Sequence, residues 1–182
     1  MKKIAIDAAR EWLDRAKVAY DSMRAADSFE KMEAAWTDFL LFSNRVYARL
    51  EQGAKGNGTS FGWYGRKKHE RRKDKLLSYV KNARDADEHG LERITKREPG
   101  TIGVKFPEGA VVTGGVVEEG RIEFELAHPR PVEVRIDGAS IKLIEVSNSG
   151  DKYEPTDTNP LVVADSLIGH LEGLIAEAEK LV

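Results

Sequence analysis

Asn159-Pro160-Leu161-Val162-Val163-Ala164-Asp165-Ser166-Leu167-Ile168-Gly169-His170-Leu171-Glu172-Gly173-Leu174-Ile175-Ala176-Glu177-Ala178-Glu179-Lys180-Leu181 is the stretch on which the fold turns. Asparagine ahead of proline opens a helix, because the amide oxygen caps free N–H groups and proline's fixed φ suits the first turn. Leu161, Ala164, Leu167, Ile168, Leu171, Leu174, Ile175, Ala178 and Leu181 then return every three or four positions and form a wide apolar face. A helix this apolar must dock, and the set in want of a fourth member lies at the other end of the chain.

There, residues 3–25 repeat Ala5, Ala8, Trp12, Ala16, Ala19, Tyr20 and Met23 at helical spacing. Asp27 or Ser28 offers an N-cap for a second helix, which runs to about Gln52 and buries Met32, Trp36, Phe39, Ser43, Val46 and Leu50, widened by Leu40 and Tyr47. Gly53, Gly56 and Gly58 read as a flexible connection. A third helix, from near Arg66 to His89, buries Leu76, Leu77, Val80 and Ala83, with Gly90 as its C-cap. Past Pro99-Gly100 the period falls to two, in Ile102, Val104, Phe106, in Ile122, Phe124, Leu126 and in Val132, Val134, Ile136. Turn signals at Pro107-Glu108-Gly109, Glu119-Gly120, Pro129-Arg130-Pro131 and Asp137-Gly138 divide the runs. The expectation is an α+β chain: a four-helix bundle with an antiparallel sheet of four or five strands inserted between helices three and four. Residues 1–97 supply three helices, 98–150 the β insertion, and 151–182 a polar linker and the returning helix.

The chain has 182 residues and no cysteine, which excludes disulfides, thiolate metal sites and cysteine nucleophiles. No stretch reaches the ~18 apolar residues of a membrane span, and Asp7, Arg10 and Glu11 interrupt any signal-like run, so a cytoplasmic protein off the membrane is expected. Residues 1–97 carry 22 Lys+Arg against 15 Asp+Glu, a sum of +7, whereas 98–182 carry 7 against 16, a sum of −9. A basic half suits a nucleic-acid partner, and an acidic sheet and tail equally suit plain solubility.

The stretch Arg84-Asp85-Ala86-Asp87-Glu88-His89 resembles the motif of the HEPN superfamily, helical-bundle domains with an arginine, a polar neighbour and a histidine a few residues on. The resemblance spans the helical parts and not the sheet. It implies RNA binding or metal-independent RNA cleavage, defence or toxin roles, and a homodimer whose motifs face one cleft. The residues admit that chemistry. Arg84 can grip phosphate oxygens through its planar fork, His89 titrates near neutral pH, and Asp85 can orient either. They admit a structural reading too, since Arg84 can pair with nearby acids and His89 suits a helix C-terminus. Five positions turn roughly 140° on an ideal helix, so Arg84 and His89 do not share a face.

The run 66–75, with seven basic and two acidic residues, is a second candidate. Arg66, Lys67, Lys68, Arg71 and Arg72 would guide a phosphate backbone, while Trp63 stacks on unpaired bases; the alternative is a solvated face with Trp63 closing the bundle end. Asp85, Asp87 and Glu88 splay around a helix, and with no HExxH or phosphate-loop pattern, neither metal nor cofactor is expected. A non-catalytic interaction and dimerisation module is the competing function.

Overall fold

The computed structural model describes residues 1–89, 93–118, 121–128, 131–137 and 140–182, and the side chains of all these except 89, 101–103, 116–118, 121, 122 and 134–137. It is an α+β structure with five helices: α1 Lys3–Arg24, α2 Phe29–Ala54, α3 Gly58–Lys73, α4 Lys75–His89 and α5 Pro160–Glu179. None is long and apolar enough to cross a membrane.

α1 begins after Lys2 with no side-chain cap, whereas each later helix begins where a polar side chain takes a free N–H. Ser28 Oγ accepts from Lys31 N at the start of α2 and Asn159 Oδ1 from Leu161 N at the start of α5. The largest departure from expectation lies between Gly53 and Lys75. Gly53 belongs to α2, Gly56 makes the turn at a φ of +85°, and Asn57 Oδ1 accepts from Ser60 N to open α3. That helix stops at Asp74, whose extended backbone breaks the run and whose carboxylate caps α4 by accepting from Leu77 N at 2.9 Å. One expected helix is therefore two.

Two compact units arise, Met1–Glu98 with Ile141–Val182, and Pro99–Ser140. In the first, α1 and α2 form the most extensive pair, and α5 packs along α1 and against α2 and α4. The core is made by Ala9, Leu13 and Met23 of α1, Trp36, Phe39 and Leu50 of α2, Tyr79 and Ala83 of α4, and Leu167 and Leu171 of α5. α1 and α2 meet closely at Gly53, where a Cβ would lie 2.4 Å from Ala5 Cβ. An exposed helix glycine changed to alanine gains about 1 kcal/mol. At Gly53 the sign reverses: Gly53→Ala forces the helices apart and should cost about 1–3 kcal/mol, read as a lower denaturant midpoint with unchanged slope.

Strands β1 Thr95–Glu98 and β6 Ser140–Leu143 pair, with Ile94, Ile141 and Leu143 buried. Arg97 fixes β1 to α2 by a fork on Glu33, with Nη2–Oε2 at 2.6 Å, and Lys142 bonds Glu98 at 2.7 Å. The expected polar linker from 151 opens with a strand, for β7 Val146–Asn148 and β8 Asp151–Tyr153 form a hairpin. Ser149 and Gly150, both at positive φ, make its two-residue turn. It is tied to α4 through Asn148 Nδ2, which donates to Asn82 Oδ1 at 2.8 Å.

The second unit has two antiparallel ladders, β2 Thr101–Lys105 with β5 Glu133–Asp137 and β3 Val112–Glu118 with β4 Arg121–Leu126. Gly114 follows a register shift in β3, and Phe106 meets Phe124 edge to face at 5.1 Å. The expected sheet of four or five strands is thus a nested series of two-stranded pairs, each outgoing strand beside its returning counterpart. Alternation reports a strand's pleat and not its neighbour, and β5 pairs with β2, not with the run after Asp137-Gly138. The expected turns at Glu119-Gly120, Pro129-Arg130 and Gly138 fall outside the described residues, as does the expected cap Gly90.

Candidate nucleic-acid interface

Helix α3 divides its residues by periodicity. Ser60, Trp63 and Tyr64 are buried, and Lys67 and Arg71 continue that side half-buried. The opposite side exposes Phe61, Gly62, Gly65, Arg66, Lys68, His69, Arg72 and Lys73.

The inward side accounts for three expected nucleic-acid contacts. Trp63 is 6% exposed and donates its indole N–H to Glu177 Oε2 at 3.1 Å, which leaves its ring no open face for a base. Lys67 bonds the same carboxylate at 2.9 Å and Glu70 at 3.1 Å. Burial disfavours the ammonium, but these bonds outweigh it and raise its pKa, while the hydrogen bonds from Lys67 and Trp63 hold Glu177 below the usual carboxylate range. Arg71 lies 3.8 Å from the Tyr47 ring centroid and donates to Asn44 Oδ1 at 3.2 Å. Burial draws its pKa down, and its Nε has no acceptor among the described residues. Tyr64, whose hydroxyl donates to Tyr47 O, is pushed up to about 12 by burial.

His170 of α5 stacks on Tyr47 with 6.3 Å between ring centroids. Burial lowers its pKa, with Asp74 and Glu177 opposing and Lys67 and Arg71 reinforcing the shift. The unfolded chain takes up this proton first as pH falls, so the stability it contributes is complete above pH ~6.5 and declines below it, towards the depressed folded value. Thermal melts should fall between about pH 7.5 and 5.5, and His170→Gln should lose less over that window, above where carboxylates titrate.

The outward side is different in kind. Lys68 still pairs with Glu51 at 3.2 Å, but Arg66, Arg72 and Lys73, and Lys75 just past the break, have no ion pair among the described residues. At the start of the same helix Phe61 is 65% exposed, a residue passed over in the sequence because the glycines around it hide the helix. From Phe61 to Lys73 the face runs about 18 Å at 1.5 Å per residue.

The Arg84 motif lies on α4. Arg84 Nη1 bonds Asp85 Oδ1 at 3.0 Å, and Nη2 pairs with Glu88. Asp85 also accepts from Lys81 Nζ at 2.8 Å. Partial burial would raise the Asp85 pKa, but the bonds from Lys81 and Arg84 prevail and lower it. The guanidinium thus sits between two carboxylates. The His89 side chain falls outside the described residues. Among those described, no three histidine, aspartate or glutamate side chains gather as a metal site requires. No family model matches the chain, and neither a curated protein nor a solved structure does.

Proposed function

We propose that the helical unit binds single-stranded RNA along the outer face of α3 and does not cleave it. The observation that carries this reading is the set of cations that the fold leaves unpaired among the described residues, Arg66, Arg72, Lys73 and Lys75, with Phe61 exposed at the start of the same helix, α3. A charged backbone gains by releasing counterions onto such a row, and an aromatic ring on the same helix offers a platform for any unpaired base. Phe61 takes the stacking role expected of Trp63.

Two things favour RNA over another polyanion: the exposed ring, and the resemblance of Arg84–His89 to the HEPN motif. Under this reading α1, α2, α4 and α5 correspond to the four helices of a HEPN-like bundle, α3 is an addition, and the strands between α4 and α5 are the insertion. The pairing of Arg84 argues against cleavage. A phosphate reaching Arg84 competes with Asp85 and Glu88, which already hold its two terminal nitrogens.

The test is binding of a fluorescently labelled single-stranded oligouridine across a salt series from about 50 to 200 mM. With three phosphates contacted, the logarithm of affinity should fall against log salt with a slope of about −2. Absence of binding, or a flat salt response, removes the proposal. Cleavage of the probe that stops on Arg84→Ala would replace it with a nuclease.

A further inference from the structure

Where α3 ends and α4 begins, the chain turns at Asp74 beside the β7–β8 hairpin. The corner borders an open cleft of about 510 Å3, within the ~300–1,000 Å3 of small-molecule sites. One wall carries Arg72, Lys73, Lys75 and Ser78, and the other Lys152, Tyr153, Glu145 and Glu154. The acids are already partly committed. Asp74 Oδ1 holds Leu77 N, and Glu145 pairs with Lys152 at 2.7 Å. The three cations of the first wall carry no such partner among the described residues. Opposite them stands a single aromatic side chain, Tyr153, part of whose surface packs on the core.

We propose that this cleft binds a nucleoside monophosphate group, its phosphomonoester held by Arg72, Lys73 and Lys75 and its base laid against Tyr153. The inference deepens the α3 reading, on which it rests for taking the anion to be a nucleotide's phosphate. A phosphomonoester near neutral pH carries more than one negative charge and three acceptor oxygens, which suits three unpaired cations gathered on one wall. Charge-assisted bonds to those oxygens are roughly twice as strong as neutral ones. A phosphate alone would leave Tyr153 unused, because its ring offers stacking and no charge. The same group has two sources, a free nucleotide or the 5′-phosphorylated end of a strand.

The experiment is calorimetric titration of the whole chain with AMP, adenosine and inorganic phosphate, then with a hexanucleotide bearing a 5′-phosphate or a 5′-hydroxyl. AMP should bind at least about tenfold more tightly than either of its halves. Lys75→Glu should weaken AMP about tenfold or more. Tyr153→Leu, which keeps the apolar contact with the core, should bring AMP down to the level of phosphate. Tighter binding of the 5′-phosphorylated strand than of the 5′-hydroxyl strand assigns the cleft to strand ends, and equal binding of the two with AMP still bound assigns it to free nucleotide; both support the site. The inference is overturned if AMP fails to bind, if phosphate binds as well as AMP, or if Lys75→Glu changes nothing while its melting temperature stays normal. A protein that binds the 5′-hydroxyl strand and not AMP keeps the α3 reading and loses the cleft, and the reverse result loses α3 alone.

Discussion

Replacing Arg66, Arg72 and Lys73 together by alanine should weaken oligouridine binding about a hundredfold at 0.1 M salt and reduce the salt slope by about 2. The size follows from counterion release, in which each lost phosphate contact on a single strand removes about 0.7 from the slope. The fold should hardly notice, because these side chains are exposed and have no partners among the described residues to abandon; an unchanged melting curve is part of the expected result. Phe61→Ala should act separately, costing about 1–3 kcal/mol of binding while leaving the salt slope intact, since stacking releases no ions. Lys67→Ala is the contrasting substitution. Its ammonium already bonds Glu177 and Glu70, so the loss should appear in stability more than in affinity. If the triple variant binds as the parent does, the outer face of α3 is merely solvated.

Trp36→Ala should destabilise the helical unit by about 3–5 kcal/mol, the largest effect expected of any single change. Trp36 is fully buried and stacks on Phe39 at 5.7 Å between ring centroids. Truncation removes a large apolar surface and leaves a hole in a close-packed core that relaxes only in part. Urea unfolding should report it as a lower midpoint. Trp36→Phe should be far milder, since the indole N–H has no acceptor among the described residues to lose. Trp12→Ala should also cost less, because Trp12 is half-buried, tilted against Phe42 with Arg15 over its ring. Equal losses at Trp12 and Trp36 would mean that the core is not where the burial puts it.

What could be read in advance follows from how strongly each signal is written in side-chain chemistry. The last helix was plain, because Asn159-Pro160 and nine apolar positions agree at every level; it is seated on α1 and α2. Helix α3 was not, for Gly58, Gly62 and Gly65 dilute helix propensity and most of one side is charged, so no apolar stripe declares it. Its identity as a helix decides which of the clustered cations face inward, and without it Trp63 looked free to stack. The Arg84 cluster was legible as a set of charges, but its partners were a matter of rotamer choice that spacing does not specify. Strand partnership was the least legible, as nothing local distinguishes Asp137-Gly138 in a hairpin from the same pair where β5 and β6 go to different neighbours.

The pairing of β1 with β6 has a consequence for how such a chain could be rebuilt. Because these strands are hydrogen-bonded neighbours, the polypeptide departs from the helical unit and rejoins it at adjacent points. Everything from Pro99 to Ser140 is then an excursion from one doorway, and a short glycine bridge across that doorway should yield a trimmed protein that still folds. In genetic terms the excursion is a cassette, free to be lost, lengthened or exchanged without renegotiating the core.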